Sequence, residues 1–257
     1  MSPHSGRPPD GGAAAPVLAN RRDPGLRCGD CRDRRLQSDG AFQLHAYREE
    51  GHRLCGAIIA NHSFNGTGEW AYGVTPWFEQ GLYLPVYSLY SDGRGATING
   101  FKIRELFVRP NAAEHKFFYG LNFEFSVNAK YWQSKRITSE VRPIVGLHLD
   151  SIDLIFNPIM DTNYTGGPGN LEFVPATRVA YKINKTWAVA AEEYADLGPL
   201  RQFMPIHDQF HEVWAVTDYK GKVVNVEAGI GIGVTAGADR LTLKLMISRD
   251  LNHKGTP

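Results

Sequence analysis

From Tyr119, every second residue is apolar or aromatic: Tyr119, Leu121, Phe123, Phe125, Val127, Ala129 and Tyr131. The residues between them, Phe118 aside, are Gly120, Asn122, Glu124, Ser126, Asn128 and Lys130. A period of two belongs to the β-strand, whose side chains alternate between two faces. The same alternation predicts strands near 41–48, 66–77, 80–91, 99–109, 116–130, 137–149, 152–161, 171–182, 187–196, 210–219, 223–234 and 240–250. No stretch after residue 38 keeps a period of 3.6. Twelve strands is an even number; 53–60 is a candidate for one more.

The connections alternate as well. Short ones fall near Phe78–Glu79, Asn111–His115, Asp150–Ser151, Ile183–Thr186 and Lys220–Lys222. Long ones fall at 92–98, around 133–136, at 162–170 and at 197–209, and are rich in Gly, Pro and Asn, the turn formers. In an up-and-down meander, alternate connections lie on opposite ends of the sheet. Short turns on one end and long loops on the other is the arrangement of barrels that cross a membrane.

A soluble sheet with one wet face also alternates, so the faces themselves must decide. Tyr119 to Tyr131 is roughly 40 Å of strand at about 3.3 Å per residue, or roughly 30 Å of height once tilted, near the hydrocarbon thickness of a bilayer. Many segments exceed the usual 5–6 residues of soluble strands. The apolar face is uniform, as in Val141, Val145, Leu147 and Leu149, or Leu241, Leu243, Leu245 and Ile247. The polar face mixes small residues with isolated charges of both signs, which suits a curved interior. Candidate residues for the aromatic girdles at the two interfaces are Trp70, Trp77, Tyr83, Tyr119, Tyr131, Tyr164, Tyr181, Trp187 and Trp214. Pro143, Pro158 and Pro175 fall inside strands, where only local bulges would accommodate them.

Composition changes this picture little. The 257 residues carry 28 basic and 27 acidic side chains, a net charge of +1, so no global field points to nucleic acid. Residues 1–38 are rich in Pro, Gly, Arg and Asp without periodicity and read as a disordered leader or a misassigned start. "AAAPVL" within them is too short for a secretory h-region. Cys28 and Cys31 form a CxxC without a second ligand pair, so no metal or redox cofactor is expected.

The stretch "GEWAYGVTPWFEQGLYLPVY" at 68–87 pairs an amphipathic strand, a short turn and "GLYLP". It resembles the outer-membrane β-barrels of the MetA-pathway phenol-degradation type and their uncharacterised relatives. "KFFYGLNFEFSV", "RPIVGLHL", "FNPIMD" and "ATRVAYKINKTWAVAAEEYADLGPL" carry the same resemblance, which extends over roughly 40–251. It implies an outer-membrane barrel and no particular substrate.

The fold class predicted is therefore all-β: one antiparallel, up-and-down transmembrane β-barrel of about twelve strands, residues 39–251, in a Gram-negative outer membrane, with 252–257 as a tail. Its partners would be outer-membrane lipid and the barrel-assembly machinery. The leading function is a passive channel or uptake route for small, hydrophobic or aromatic molecules. Glu124, Glu140, Arg142, Glu172, Arg178, Lys182, Glu192 and Lys244 are the candidate lumen-lining residues. Glu192 is expected to face inward toward Arg178 or Arg142, and Glu193 to sit near a rim. The rivals are a closed structural barrel, a lipid-modifying enzyme and a soluble β-protein. His62 beside Ser63, with Asn65 near, faintly resembles the His, Ser and Asn of outer-membrane phospholipases. Adjacent residues of a strand point to opposite faces, however. His207 and His211, four apart in a Pro-containing loop, are weak metal candidates. "GIGIGVTAGAD" at 229–239 alternates as a strand does and has no helix after it, unlike a phosphate loop.

Overall fold

In a computed structural model, residues 36–47 are described as backbone only, and 63–90, 95–130 and 135–251 more fully. Fourteen strands follow in order: β1 (Leu36–Tyr47), β2 (Ser63–Thr75), β3 (Phe78–Tyr90), β4 (Gly95–Val108), β5 (Phe117–Asn128), β6 (Ile137–Leu149), β7 (Ile152–Asn157), β8 (Met160–Thr162), β9 (Glu172–Phe173), β10 (Ala176–Lys182), β11 (Trp187–Asp196), β12 (Phe210–Lys220), β13 (Asn225–Gly233) and β14 (Leu241–Asp250). The cysteines, His62 and the candidate strand at 53–60 lie outside the described residues.

Except at the breaks between β7 and β8 and between β9 and β10, where β7 pairs with β10 and β8 with β6, each strand pairs antiparallel with its neighbours in chain order, and two pairings complete a circle. The first strand pairs with the last, from Gln37↔Asp250 to Tyr47↔Leu241, and β5 pairs with β6. Twelve long strands thus form a ring in which each is hydrogen-bonded on both sides. The short β8 and β9 continue β7 and β10 beyond a break. Closure removes the sheet edges, and in hydrocarbon a ring without edges is the only β arrangement that satisfies every backbone group.

The ring turns its apolar side outward. In β5, Tyr119, Phe123 and Phe125 are exposed while Asn122, Glu124, Ser126 and Asn128 are buried. In β14, Leu245 and Ile247 are exposed while Thr242, Lys244 and Ser248 are buried. A soluble sheet packs the other way, so the residues that look like a core form the outer surface. Trp70, Trp77, Tyr119, Tyr164, Tyr181 and Trp187 are on that surface, as girdle residues should be. Tyr83 and Trp214 are not: each is 1% exposed and turned inward. They share the parity of Gly81 and Glu212, which are buried too. Tyr131 lies outside the described residues.

The three prolines do not mark bulges. The pairings Val145↔Phe156 and Val141↔Met160 keep one register across the break, which sets Pro158 opposite Pro143. On the other side, Asn157↔Ala176 and Met160↔Phe173 set Pro158 opposite Pro175. Three adjacent strands therefore carry proline in one transverse row. The Val174 N–H donates to the Ile159 carbonyl at 2.9 Å, so the backbone of Pro158 is turned the other way, toward Pro143. Neither of those two residues has an N–H to give. The register shifts lie elsewhere: in β2 at Gly68 and at Val74, in β3 at Leu84–Pro85, in β4 at Asn99, and at the tip of β1.

The connections β2–β3, β4–β5, β6–β7, β10–β11 and β12–β13 lie at one end and take two to eight residues; β3–β4, β5–β6, β8–β9, β11–β12 and β13–β14 lie at the opposite end and take four to thirteen. The two-residue turn after β6 places Asp150 at φ 43°, a left-handed conformation that Asp tolerates.

Candidate functional site

The candidate site is the inside of the ring. Its side chains are set by strand parity alone, so the polar face of each strand delivers one column of groups to the interior. Glu124, Arg142, Glu172, Arg178, Glu192 and Lys244 are buried there, and Glu140 and Lys182 are half-buried. Glu192 meets Arg178 as expected. Glu193 instead faces outward, where His211 Nδ1 lies 3.2 Å from its carboxylate.

The charges collect in two networks. The first spans β2 to β6. Lys102 Nζ lies 3.3 Å from Glu124, and Arg142 bridges Glu140 and Glu124. Arg104 sits between Glu69, at 3.0 Å, and Glu79. The Tyr83 hydroxyl donates to Glu124, which explains why this aromatic points inward. The second network spans β10 to β14. Arg178 contacts Glu192, Asp218 and Glu227. Lys244 Nζ lies 2.5 Å from Glu192 and 2.8 Å from Glu227, and 5.2 Å over the Trp214 ring. Trp214 Nε1 donates to Glu212 at 2.8 Å, and Thr242 donates to the same carboxylate. Gly231 makes room for that indole, since a Cβ there would sit 2.4 Å from it. Gly231 is thus the floor under Trp214, while Gly229 lies against Lys244 and Val216.

In ring order the two networks are centred on strands half a circumference apart. Among the described residues, no ion pair joins one network to the other. A smaller chain, His148–Asp153–Lys182, lies on β6, β7 and β10 near the short-turn end, at 2.7 and 2.6 Å. His148 stacks on the fully buried Phe118 at 4.6 Å between centroids. Beside it a cavity of about 120 Å³ is lined by Asp153, Lys182, Trp187, Asp218 and Lys220.

Two apolar clusters share the interior. Leu106, Val108, Phe118, Ile144 and Ile155 form one. Ile159, Val174, Tyr194, Phe210, Trp214 and Val216 form the other.

Counted over the interior face, the described strand side chains include twelve carboxylates: Glu69, Glu79, Glu124, Glu140, Asp153, Asp161, Glu172, Glu192, Asp196, Glu212, Asp218 and Glu227. Six cations face them: Lys102, Arg104, Arg142, Arg178, Lys182 and Lys244. Lys220 and Asp250, at the short-turn rim, offset one another. Sequence reasoning missed Glu69, Lys102, Arg104, Glu212 and Glu227, although the same period-two parity identifies all five.

Among the described residues, no group of three or more His, Cys, Asp or Glu side chains could hold a metal ion. His207 is exposed and pairs with Asp208. The described residues contain no helix long and apolar enough to cross a membrane, which says nothing of strands.

No protein-family model matches the sequence, and no curated protein is similar to it at the sequence level. Solved structures are similar in fold. The COG4313 outer membrane channel from Pseudomonas putida F1 matches with a TM-score of 0.55 at 10% identity, over 85% of this chain and 96% of that one. The KdgM porin in complex with disordered oligogalacturonate matches at 0.52 and 8% identity, over 83% and 98%. The NanC porin matches at 0.52 and 11% identity, over 84% and 100%. The fold is that of the outer-membrane β-barrels.

Proposed function

We propose that this protein is a passive channel of a Gram-negative outer membrane, an uptake route for small molecules. The observation that carries the reading is the division of the interior charges. Among the described residues each buried network pairs within its own arc of wall, so the pairs brace the wall and do not tie one side to the other. A barrel plugged by its own side chains would instead pair across the lumen. The two apolar clusters give hydrophobic or aromatic solutes a surface along the same route, in keeping with the resemblance to barrels associated with phenol degradation. The structural neighbours named as channels and porins support the reading by their architecture. Outer-membrane lipid and the barrel-assembly machinery are the partners it requires.

Reconstitution in planar bilayers tests it. The expected result is discrete conductance steps. A protein that folds, inserts and never conducts is a closed structural barrel, and the channel reading is then wrong. Lipid hydrolysis that disappears in Ser63→Ala would favour the lipid-modifying enzyme instead.

A further inference from the structure

We infer that the lumen selects by charge, admitting cations and neutral molecules and rejecting anions. This rests on the channel reading above and adds the class of solute to it. The chain as a whole is close to neutral, at +1. Its described interior carries twelve carboxylates against six cations. Among the described side chains the imbalance is therefore a property of the inside and not of the composition.

The surplus has a position. Asp161 stands in register with Glu140 on one side and Glu172 on the other, so three adjacent strand segments present carboxylates in one row. Asp196 closes β11 at the same end, on the side of the long loops. In outer-membrane barrels that end faces outward from the cell. Glu140 is paired with Arg142, whereas Asp161 and Asp196 have no ion-pair partner among the described residues.

The hydrogen bonding shows the same shortage of positive partners. Asp196 is wholly buried; one of its oxygens accepts the Gly198 N–H at 2.9 Å and the other has no donor. Asp161 also has an oxygen without a donor; Asp153 and Asp218 each have one too, although their other oxygens pair with Lys182 and Arg178. Buried acceptors without donors are costly. Their negative charge acts through the wall on a permeating ammonium group or hydrated cation. Walls of low dielectric constant focus the field of such groups onto the solute. A polyanion such as the oligogalacturonate bound by the KdgM porin meets repulsion from the first row onward.

The experiment is the reversal potential of the full-length protein in planar bilayers under a potassium chloride gradient. The expected sign is that of a cation-selective pore, with potassium favoured over chloride several-fold. Spermine added on the long-loop side should block the current, and oligogalacturonate should not. Asp161→Asn and Glu172→Gln, made separately, should each bring the permeability ratio toward one, while the outward-facing Glu193→Gln leaves it unchanged. Conductance with no preference or with a preference for chloride overturns the inference and leaves the channel reading standing. Absence of conductance overturns both. The wild-type reversal potential decides the matter even if a variant fails to fold.

Discussion

At the residue scale, Lys244 is the position on which most depends. Its ammonium group serves two carboxylates and two aromatic rings, and it is almost fully buried. Removing one member of a buried ion network leaves the others charged and unpaired, at a cost of about 3–5 kcal/mol. Lys244→Met should therefore lower stability by about that amount, read from urea unfolding in lipid vesicles by tryptophan fluorescence. Glu193→Ala should cost less than about 1 kcal/mol, because its pair with His211 is exposed. Equal effects would mean that the inner network does not hold the wall. Parity made Glu192 legible as an inward residue and led to Arg178. It failed for Tyr83 and Trp214 only because residue type was allowed to outweigh it. A large aromatic suits a membrane interface, but it equally suits a lumen where a carboxylate accepts its O–H or N–H, as Glu124 and Glu212 do.

At the scale of the element, strand existence and order were legible because most strands repeat their pattern over nine residues or more and are punctuated by turn formers. The proline row was not. Its cause is a pairing register, which a single strand does not contain. Pro143 and Pro158 face each other where two N–H groups would otherwise bridge the strands, so this patch of wall has fewer hydrogen bonds than its surroundings. Hydrogen exchange in detergent should show faster amide exchange at 141–145, 156–160 and 173–177 than in the neighbouring stretches of the same strands. Pro158→Ala restores one donor opposite Pro143 and should slow exchange there. Uniform protection along β6, with no change in the variant, would mean that the wall makes up the loss by other bonds.

At the scale of the whole molecule, the closed ring and the unequal lengths of its connections make a statement about orientation that can be checked without a substrate. Arg201 is exposed in the long connection between β11 and β12, and Lys185 is exposed in the short turn between β10 and β11. If long loops face the medium and short turns face the periplasm, trypsin added to intact cells should reach Arg201 and not Lys185. Permeabilising the outer membrane should then expose Lys185. Cleavage at Arg201 need not open the barrel, since β11 and β12 stay paired from Trp187↔Tyr219 to Asp196↔Phe210. The nicked protein should accordingly run as one compact band in unboiled SDS gels and separate into its fragments on boiling. Identical migration boiled and unboiled would contradict the barrel. Cleavage at Lys185 in intact cells would invert the orientation, and with it the end at which the acidic row of Glu140, Asp161 and Glu172 meets an arriving solute.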